Sequence, residues 1–296
     1  MAGTRWTWLP SLSVVAVTGR DARAFLQGQL TSDLLGLDRH AGMLAAACNR
    51  QGRVVALLRL ARRGDQVLLL LHRSMAPLLV AHLARFVLRS EVAFAETGDS
   101  VAGLLDAPPS LQAAARSAGL LPLVAGRTRA LMIGDRAVAA NLLAGLPQAP
   151  AEDWETASIE DGEPEVYPET SGLWVPQMIN LDLLSAVSFS KGCFLGQEIV
   201  ARAQHLGRIR RRMLRYVSAA DAELAPGRML YGGSEPAAQV VRAAAAGDGA
   251  QCLAVVALED CAELLGTAPG HREFVPADLP YAIPALAAAE ESLPAD

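Results

Sequence analysis

Lysine is almost absent from this chain of 296 residues. Of its 26 basic residues one, Lys191, is lysine and the rest are arginine. A guanidinium is planar and weakly hydrated, whereas an ammonium is a compact, strongly hydrated point charge. A chain that takes arginine elsewhere therefore keeps Lys191 for a role an ammonium fills, chance retention being the alternative. Aromatic residues make up 5% of the chain, and there are four cysteines, Cys48, Cys193, Cys252 and Cys261. No C-x-x-C occurs, which excludes a zinc ribbon or a self-contained iron–sulfur site. So few cysteines fit a reducing, cytoplasmic setting. Long apolar runs are missing too: Val67–Leu71 stops at His72 and Ala254–Leu258 at Glu259, far short of the ~20 residues of a membrane span. The first ten residues show no secretory pattern, so neither a signal peptide nor a membrane partner is expected. A net charge of −5 argues against a broad nucleic-acid footprint.

What is present is a folding chain. Hydrophobic residues are 52% and charged residues 19%, which excludes disorder, and the length suits about two domains. Asp21 can cap a helix carrying Ala22, Phe25, Leu26, Leu30 and Leu34 on one side. Met43–Cys48, Arg53–Leu60 and Gln66–Leu71 read as strands joined by the turns Asn49–Gly52 and Arg63–Asp65. A helix over Ser74–Val87 and a strand over Glu91–Ala95 follow, His82 packing on the helix's apolar face. Next come a strand Val101–Leu105, a helix Ser110–Ala118, a strand Arg129–Ile133 and a helix Asp135–Leu146. The irregular alternation predicts an α+β fold. A linker over Gly145–Ala151 leads to a helix Glu152–Asp161. The irregular stretch Gly162–Pro176, with three prolines and three glutamates, has the length of a functional loop. Short strands at Met213–Ser218, Arg228–Tyr231, Ala238–Ala243 and Cys252–Leu258 predict a small β-barrel-like C-terminal domain. Cys48, Cys252 and Cys261 read as core residues of strands.

The densest unusual segment is Lys191-Gly192-Cys193-Phe194-Leu195-Gly196-Gln197-Glu198-Ile199-Val200-Ala201-Arg202. A helix starting near Gly196 would set Cys193 just before its N-terminus, where free N–H groups and the macrodipole favour a thiolate. Lys191 would add positive charge, and so could Arg202. The glycines would permit close backbone approach. The competing reading makes Cys193 a small buried residue in a tight turn. Glu198 is either a base or a first-turn acid favoured by the dipole.

This segment resembles the K-G-C-Y-x-G-Q-E-x-V-A-R signature of the YgfZ family, folate-binding proteins related to the glycine-cleavage T-protein, with Phe194 in place of Tyr. Gly19–Leu35, Val175–Leu184 and Leu279–Pro284 resemble further family segments, so the likeness spans nearly the whole chain. It implies a three-part ring-like T-protein-type fold. Residues 1–211 would form a folate-binding region of two intertwined α+β subdomains, 212–286 the barrel-like domain and 287–296 a frayed tail. It also implies tetrahydrofolate or a folate derivative as cofactor, and a role in assembling or repairing iron–sulfur clusters in client enzymes, some of which modify tRNA. Cys193 and Lys191 would be the working residues, supported by Gly192, Gly196, Gln197, Glu198 and Arg202. No stable metal is implied; Cys193 could ligate a cluster transiently with partner thiols.

A pterin ring needs a flat apolar neighbour and an acceptor for its aminopyrimidine edge. The resemblance assigns these to Trp154 and Glu160, each with a plainer alternative, a core anchor and a solvated helix-end acid. Leu12 stands where some relatives carry Trp. Ala56 matches the T-protein's catalytic Asp, which argues against the alternative of a folate-dependent one-carbon transferase. Another alternative is direct tRNA binding through Arg208, Arg210, Arg211 and Arg212, a cluster that could equally meet a folate glutamate tail or form a solvated edge. Asn49, Gln197 and Gln204 are candidate polar contacts in the folate site.

Overall fold

The structure is a computed structural model that describes residues 3–39, 42–205, 209–219, 224–247 and 249–284. The tail 287–296 and Arg208 lie outside the described residues. The chain opens with β1 (Arg5–Trp8), β2 (Leu12–Thr18) and a short helix α1 (Ala22–Gln27). The meander β3 (Met43–Cys48), β4 (Val54–Arg63) and β5 (Gln66–His72) follows, then α2 (Ala76–Ala84) and β6 (Ala93–Glu96). These strands form an antiparallel sheet of order β3-β4-β5-β2-β6. β7 (Ser100–Leu105), α3 (Pro109–Ser117), β8 (Leu121–Val124), β9 (Arg129–Gly134) and α4 (Arg136–Leu143) come next. They build a second sheet, β1-β7-β9-β8, which recruits its edge strand from the N-terminus.

Two continuous apolar runs decide how these layers stack. β2 and β5 are hydrophobic on both faces, a pattern only a strand covered on both sides can bury. Val15, Val17, Leu69 and Leu71 enter one core with Leu26, Leu30 and Leu79. Val14, Ala16, Leu68 and Leu70 enter a second core against Leu131 and Ile133 of β9. The other face of β9, Ala130 and Met132, is covered by Ala115 of α3 and Ala139 and Leu143 of α4.

Helix α5 (Ala151–Glu160) and an irregular segment lead to α6 (Gln197–His205). The C-terminal strands β10 (Arg211–Ser218), β11 (Met229–Gly232), β12 (Glu235–Ala246), β13 (Gly249–Ala257), β14 (Leu265–Gly266) and β15 (Val275–Ala277) curl into the third sheet, a half-barrel. It closes over Tyr216, Val240, Cys252 and Phe274. Its outer face, with Met213, Val241, Leu253 and Val255, packs on the first core. The fold is thus α+β, with three sheets around one centre.

Several local expectations needed correction. Asp21 does not cap α1; its carboxylate accepts from Glu91 N at 2.8 Å, and the helix stops at Gln27. Leu30 and Leu34 still reach the core, as part of the connection. The helix expected from Ser74 begins with a 3-10 turn and ends at Ala84. Strands β1, β2 and β8 escaped the pattern reading: β1 and β8 have four residues each, too few to show a period, and β8 contains Pro122. The linker over 145–151 is tied down, Ala149 N donating to Trp6 O at 2.7 Å. Cys261 sits half-buried in a turn, not in a strand.

Candidate functional site

The cysteine loop is held from both sides. Lys191 Nζ donates to the carbonyls of Gln27, Leu30 and Ser32 at 2.6, 2.8 and 2.8 Å. An ammonium has three donors and no acceptor, so this cage uses all of them. Burial pulls the Lys191 pKa down to about 8 against the pull of Asp33. Phe194 is buried in the first core, its ring centroid 5.4 Å from Lys191 Nζ. Leu195 N donates to Gly28 O at 3.2 Å. Between these anchors Cys193 is exposed, so the buried-turn alternative for it fails. The helix starts at Gln197, four residues on.

Gly196 has φ +82°, and a Cβ there would lie 2.4 Å from Asn49 O and 2.9 Å from Gly52 Cα. The turn between β3 and β4 therefore presses backbone to backbone on the start of α6. Asn49 shapes that turn, its Oδ1 accepting from Gln51 N and Arg53 N at 3.0 Å each. Gly192 has no such neighbour within 4 Å and no positive φ. Glu198 and Arg202 form an exposed pair, 3.7 Å apart, on the outside of α6. Gln204 Oε1 is 3.4 Å from Gln177 Nε2 beneath the helix.

A second feature lies where the three sheets converge. A cavity of about 300 Å³ is bounded by Leu12 of β2, Leu57 and Arg59 of β4, Leu70 and His72 of β5, Leu131 of β9 and Arg242 of β12. Trp154 and Glu155 of α5, Glu163, Glu165 and Tyr167 of the following segment, and Leu44 of β3 also line it. One side is leucine and indole; the other is charged. Trp154 is 4% exposed. It is wedged against Gly103, where a Cβ would come within 2.6 Å of its ring, and under the Arg129 guanidinium 4.7 Å from its centroid. It is therefore a fixed part of the wall.

The charges there are mostly committed. Glu163 contacts Arg59 and accepts from Arg129 Nη2 at 2.7 Å. Burial opposes its ionisation, but Arg59, Arg129 and Arg242 overcome this and hold its carboxyl well below the usual range. Arg129 also donates to Asp161 at 2.8 Å and Ser158 Oγ at 2.7 Å. Arg242 Nε donates to Glu155 at 2.8 Å. Glu165 differs: its carboxyl accepts one hydrogen bond, from Val166 N at 2.9 Å. Enclosed by protein yet open to the cavity, it has its pKa raised by burial to about 7, with Arg242 pulling the other way. His72 meets the Tyr167 ring edge-on, centroids 4.9 Å apart, and burial lowers its pKa.

The structure separates residues that sequence reasoning had joined. Glu160 does not line this cavity. It faces an outer groove with Thr156, Arg215 and Gln251, 3.7 Å from Arg215 Nη2. Ala56 is fully buried opposite Ala47 and away from the cavity, whereas Leu57 beside it faces in. Neither supplies a carboxylate. Arg212 leaves the arginine run altogether, buried and bidentate to Asp182 at 2.6 and 2.9 Å; Arg210 and Arg211 are exposed. Asn49, Gln197 and Gln204 lie outside the cavity lining. His82 sits at the core rim, its Nε2 3.2 Å from Cys48 O. Sequence reasoning missed the cavity's charged wall. Its signals were the glutamates of the irregular stretch and an arginine, Arg242, inside an alanine- and valine-rich strand. Among the described residues no group of three or more His, Cys, Asp or Glu is placed to hold a metal ion.

No family model matches the chain. Individual proteins do. It is 34% identical over 227 residues to the tRNA-modifying protein YgfZ of Edwardsiella ictaluri, covering 70% of this chain and 67% of that one. This chain belongs to the YgfZ family. It is also 28% identical over 229 residues to the YgfZ protein of Vibrio atlanticus, covering 74% and 71% of the two chains. The YgfZ protein of Escherichia coli strain SE11 is 30% identical over 226 residues, 69% of each. Among solved structures, the glycine cleavage system aminomethyltransferase T from Bartonella henselae matches with TM-score 0.66 at 16% identity, over 93% of this chain and 85% of that one. The YgfZ chain thus shares the T-protein fold, as its sequence implied. No helix among the described residues is long and apolar enough to cross a membrane.

Proposed function

We propose that the chain is a tetrahydrofolate-binding accessory protein for the assembly or repair of iron–sulfur clusters in client enzymes, with Cys193 as its working side chain. The observation that carries this reading is the central cavity, in which an apolar slot meets a polar wall at the junction of three sheets. Its volume, about 300 Å³, lies at the lower end for small-molecule sites, roughly 300–1,000 Å³. That suits a bicyclic head group, with the anionic tail outside. Leu12, Leu57, Leu70, Leu131 and Trp154 would enclose the ring, and an acceptor on the polar wall would meet its N–H edge. A bound reduced folate supplies one-carbon carrying capacity. The chain's own part is to hold the ring and exclude water from it.

The cluster is cargo. Cys193 stands exposed on a loop fixed by Lys191 and Phe194, so its sulfur would approach a partner without reorganising the protein. One thiolate provides one of the usual four cluster ligands, and the others would come from client or carrier. The lack of a carboxylate at Ala56 or Leu57 favours this reading over aminomethyl transfer.

The test has two arms. In cells lacking the native protein, Cys193→Ala is expected to leave iron–sulfur enzymes at the activity of the deletion, while the purified variant binds tetrahydrofolate like the parent. Full rescue by the variant overturns the thiol role. Absence of tetrahydrofolate binding by the parent chain in calorimetry overturns the folate role.

A further inference from the structure

Three glutamates face the central cavity, and two are spoken for. Glu163 lies between Arg59 and Arg129, and Glu155 is paired with Arg242 at 2.7 Å. Glu165 faces the same space and, among the described residues, its carboxyl accepts only a backbone N–H, that of Val166. A carboxylate has about four lone-pair sites, so most of its accepting capacity is open to a ligand. Resting on the folate-site reading above, we propose that Glu165 is the specificity-determining carboxylate of this cavity. It accepts the paired N–H donors of a flat heterocycle lying against the leucine–Trp154 wall, and it releases its proton to solvent as the ligand enters. Glu160, in its outer groove, is not placed for that task.

The groups around Glu165 set the sign of the coupling. Arg242 on β12 favours the carboxylate; Glu155 on α5 and Glu163 on its own segment disfavour it. Arg59 on β4, His72 on β5 and Tyr167 also border the cavity. Arg59 is drawn to Glu163, the His72 pKa is lowered, and burial pushes the Tyr167 phenol well above its usual value. From neutral to mildly basic pH the charge of Glu165 changes. With a carboxyl near pH 7 in the free protein, a ligand that needs the carboxylate gains affinity as pH rises and displaces about half a proton at pH 7. A bidentate pair of hydrogen bonds to a charged acceptor gives it selectivity for an N–H/N–H edge.

The experiment is anaerobic calorimetric titration of the full chain with tetrahydrofolate, from about pH 6 to about pH 8, in two buffers of different ionisation enthalpy. The parent is expected to gain about tenfold in affinity across that range and to release the proton. Glu165→Gln is expected to bind at least about tenfold more weakly, with a flat profile and no proton release. Should the variant fail to fold, the parent's profile alone decides. Parent affinity that is flat and buffer-independent overturns the role of Glu165 while leaving the folate site standing, as does a variant that keeps the parent's affinity and slope. No binding by the parent at any pH overturns both.

Discussion

The central cavity and the cysteine loop solve opposite problems. The cavity gathers charges into the interior and neutralises them with partners from distant parts of the chain: Arg59, Arg129, Glu155, Glu163 and Arg242. The loop is encoded in twelve consecutive residues and puts its reactive atom outside. It rests on backbone carbonyls and a glycine contact. The contrast teaches where stability and function separate. A buried ion network is costly to break because the surviving charges stay buried. An exposed thiol can be removed with little effect on folding.

The largest expected effect is in the charge network behind the cavity wall. Arg129, 3% exposed, joins Asp161, Glu163, Ser158 and the Trp154 ring. Arg129→Met removes one arginine from each of Asp161 and Glu163, which keep Arg127 and Arg59, so the cost is expected at the low end for a broken buried pair, about 3 kcal/mol, read as a lowered urea midpoint with unchanged slope. Arg129→Lys is expected to recover only part, since an ammonium cannot span the same acceptors. A loss below about 1 kcal/mol would mean that the network carries little and would dissolve the contrast.

The two regions also differ in how much of them the sequence discloses. The loop was readable because its chemistry is local: a lone lysine, two glycines and a cysteine within six positions. Even so, the spacing suggests a backbone role for both glycines and Gly196 alone of the two has one, because the turn at Asn49–Gly52 that presses on it lies far away in the chain. β5 was legible as a strand from its apolar run; β2 was not, although its Val14–Val17 run is likewise buried on both faces. The cavity was not legible in the same way. Its lining comes from β2, β3, β4, β5, β9, α5, the stretch after α5 and β12, and no local spacing reports that convergence. Glu160 and Trp154 share the helix α5, as the sequence pattern indicates. The structure sends their side chains to different openings.

The next effect lies inside the loop. Gly196→Ala forces a side chain into φ +82° with its Cβ 2.4 Å from Asn49 O, where backbone must move. The strain is about 1–3 kcal/mol and the displaced contact adds to it, so a loss of roughly 2–3 kcal/mol in denaturant unfolding is expected. Gly192→Ala, with open space around it, is expected to stay within about 0.5 kcal/mol of the parent. Equal losses in the two variants would show that the contact between the β3–β4 turn and α6 does not fix this loop.

The smallest effect tests the lysine itself. Its three acceptors, the carbonyls of Gln27, Leu30 and Ser32, converge on one point, and three tetrahedrally arranged N–H donors meet them from that point. A planar guanidinium directs its donors in a fork and is longer, so Lys191→Arg cannot satisfy all three carbonyls from the same place. One hydrogen bond lost at this half-buried site costs about 1 kcal/mol. Because the cage ties the loop to the end of α1, the cost should appear mainly as faster exchange of the Lys191 and Leu195 amides and faster alkylation of Cys193, with little change in global unfolding. Cys48 and Cys252, whose thiols burial pushes up to about 12, should stay unlabelled in parent and variant and serve as internal standards. If the arginine variant leaves Cys193 alkylation unchanged, the ammonium is dispensable, and a chain that otherwise uses only arginine kept this one lysine for no structural reason.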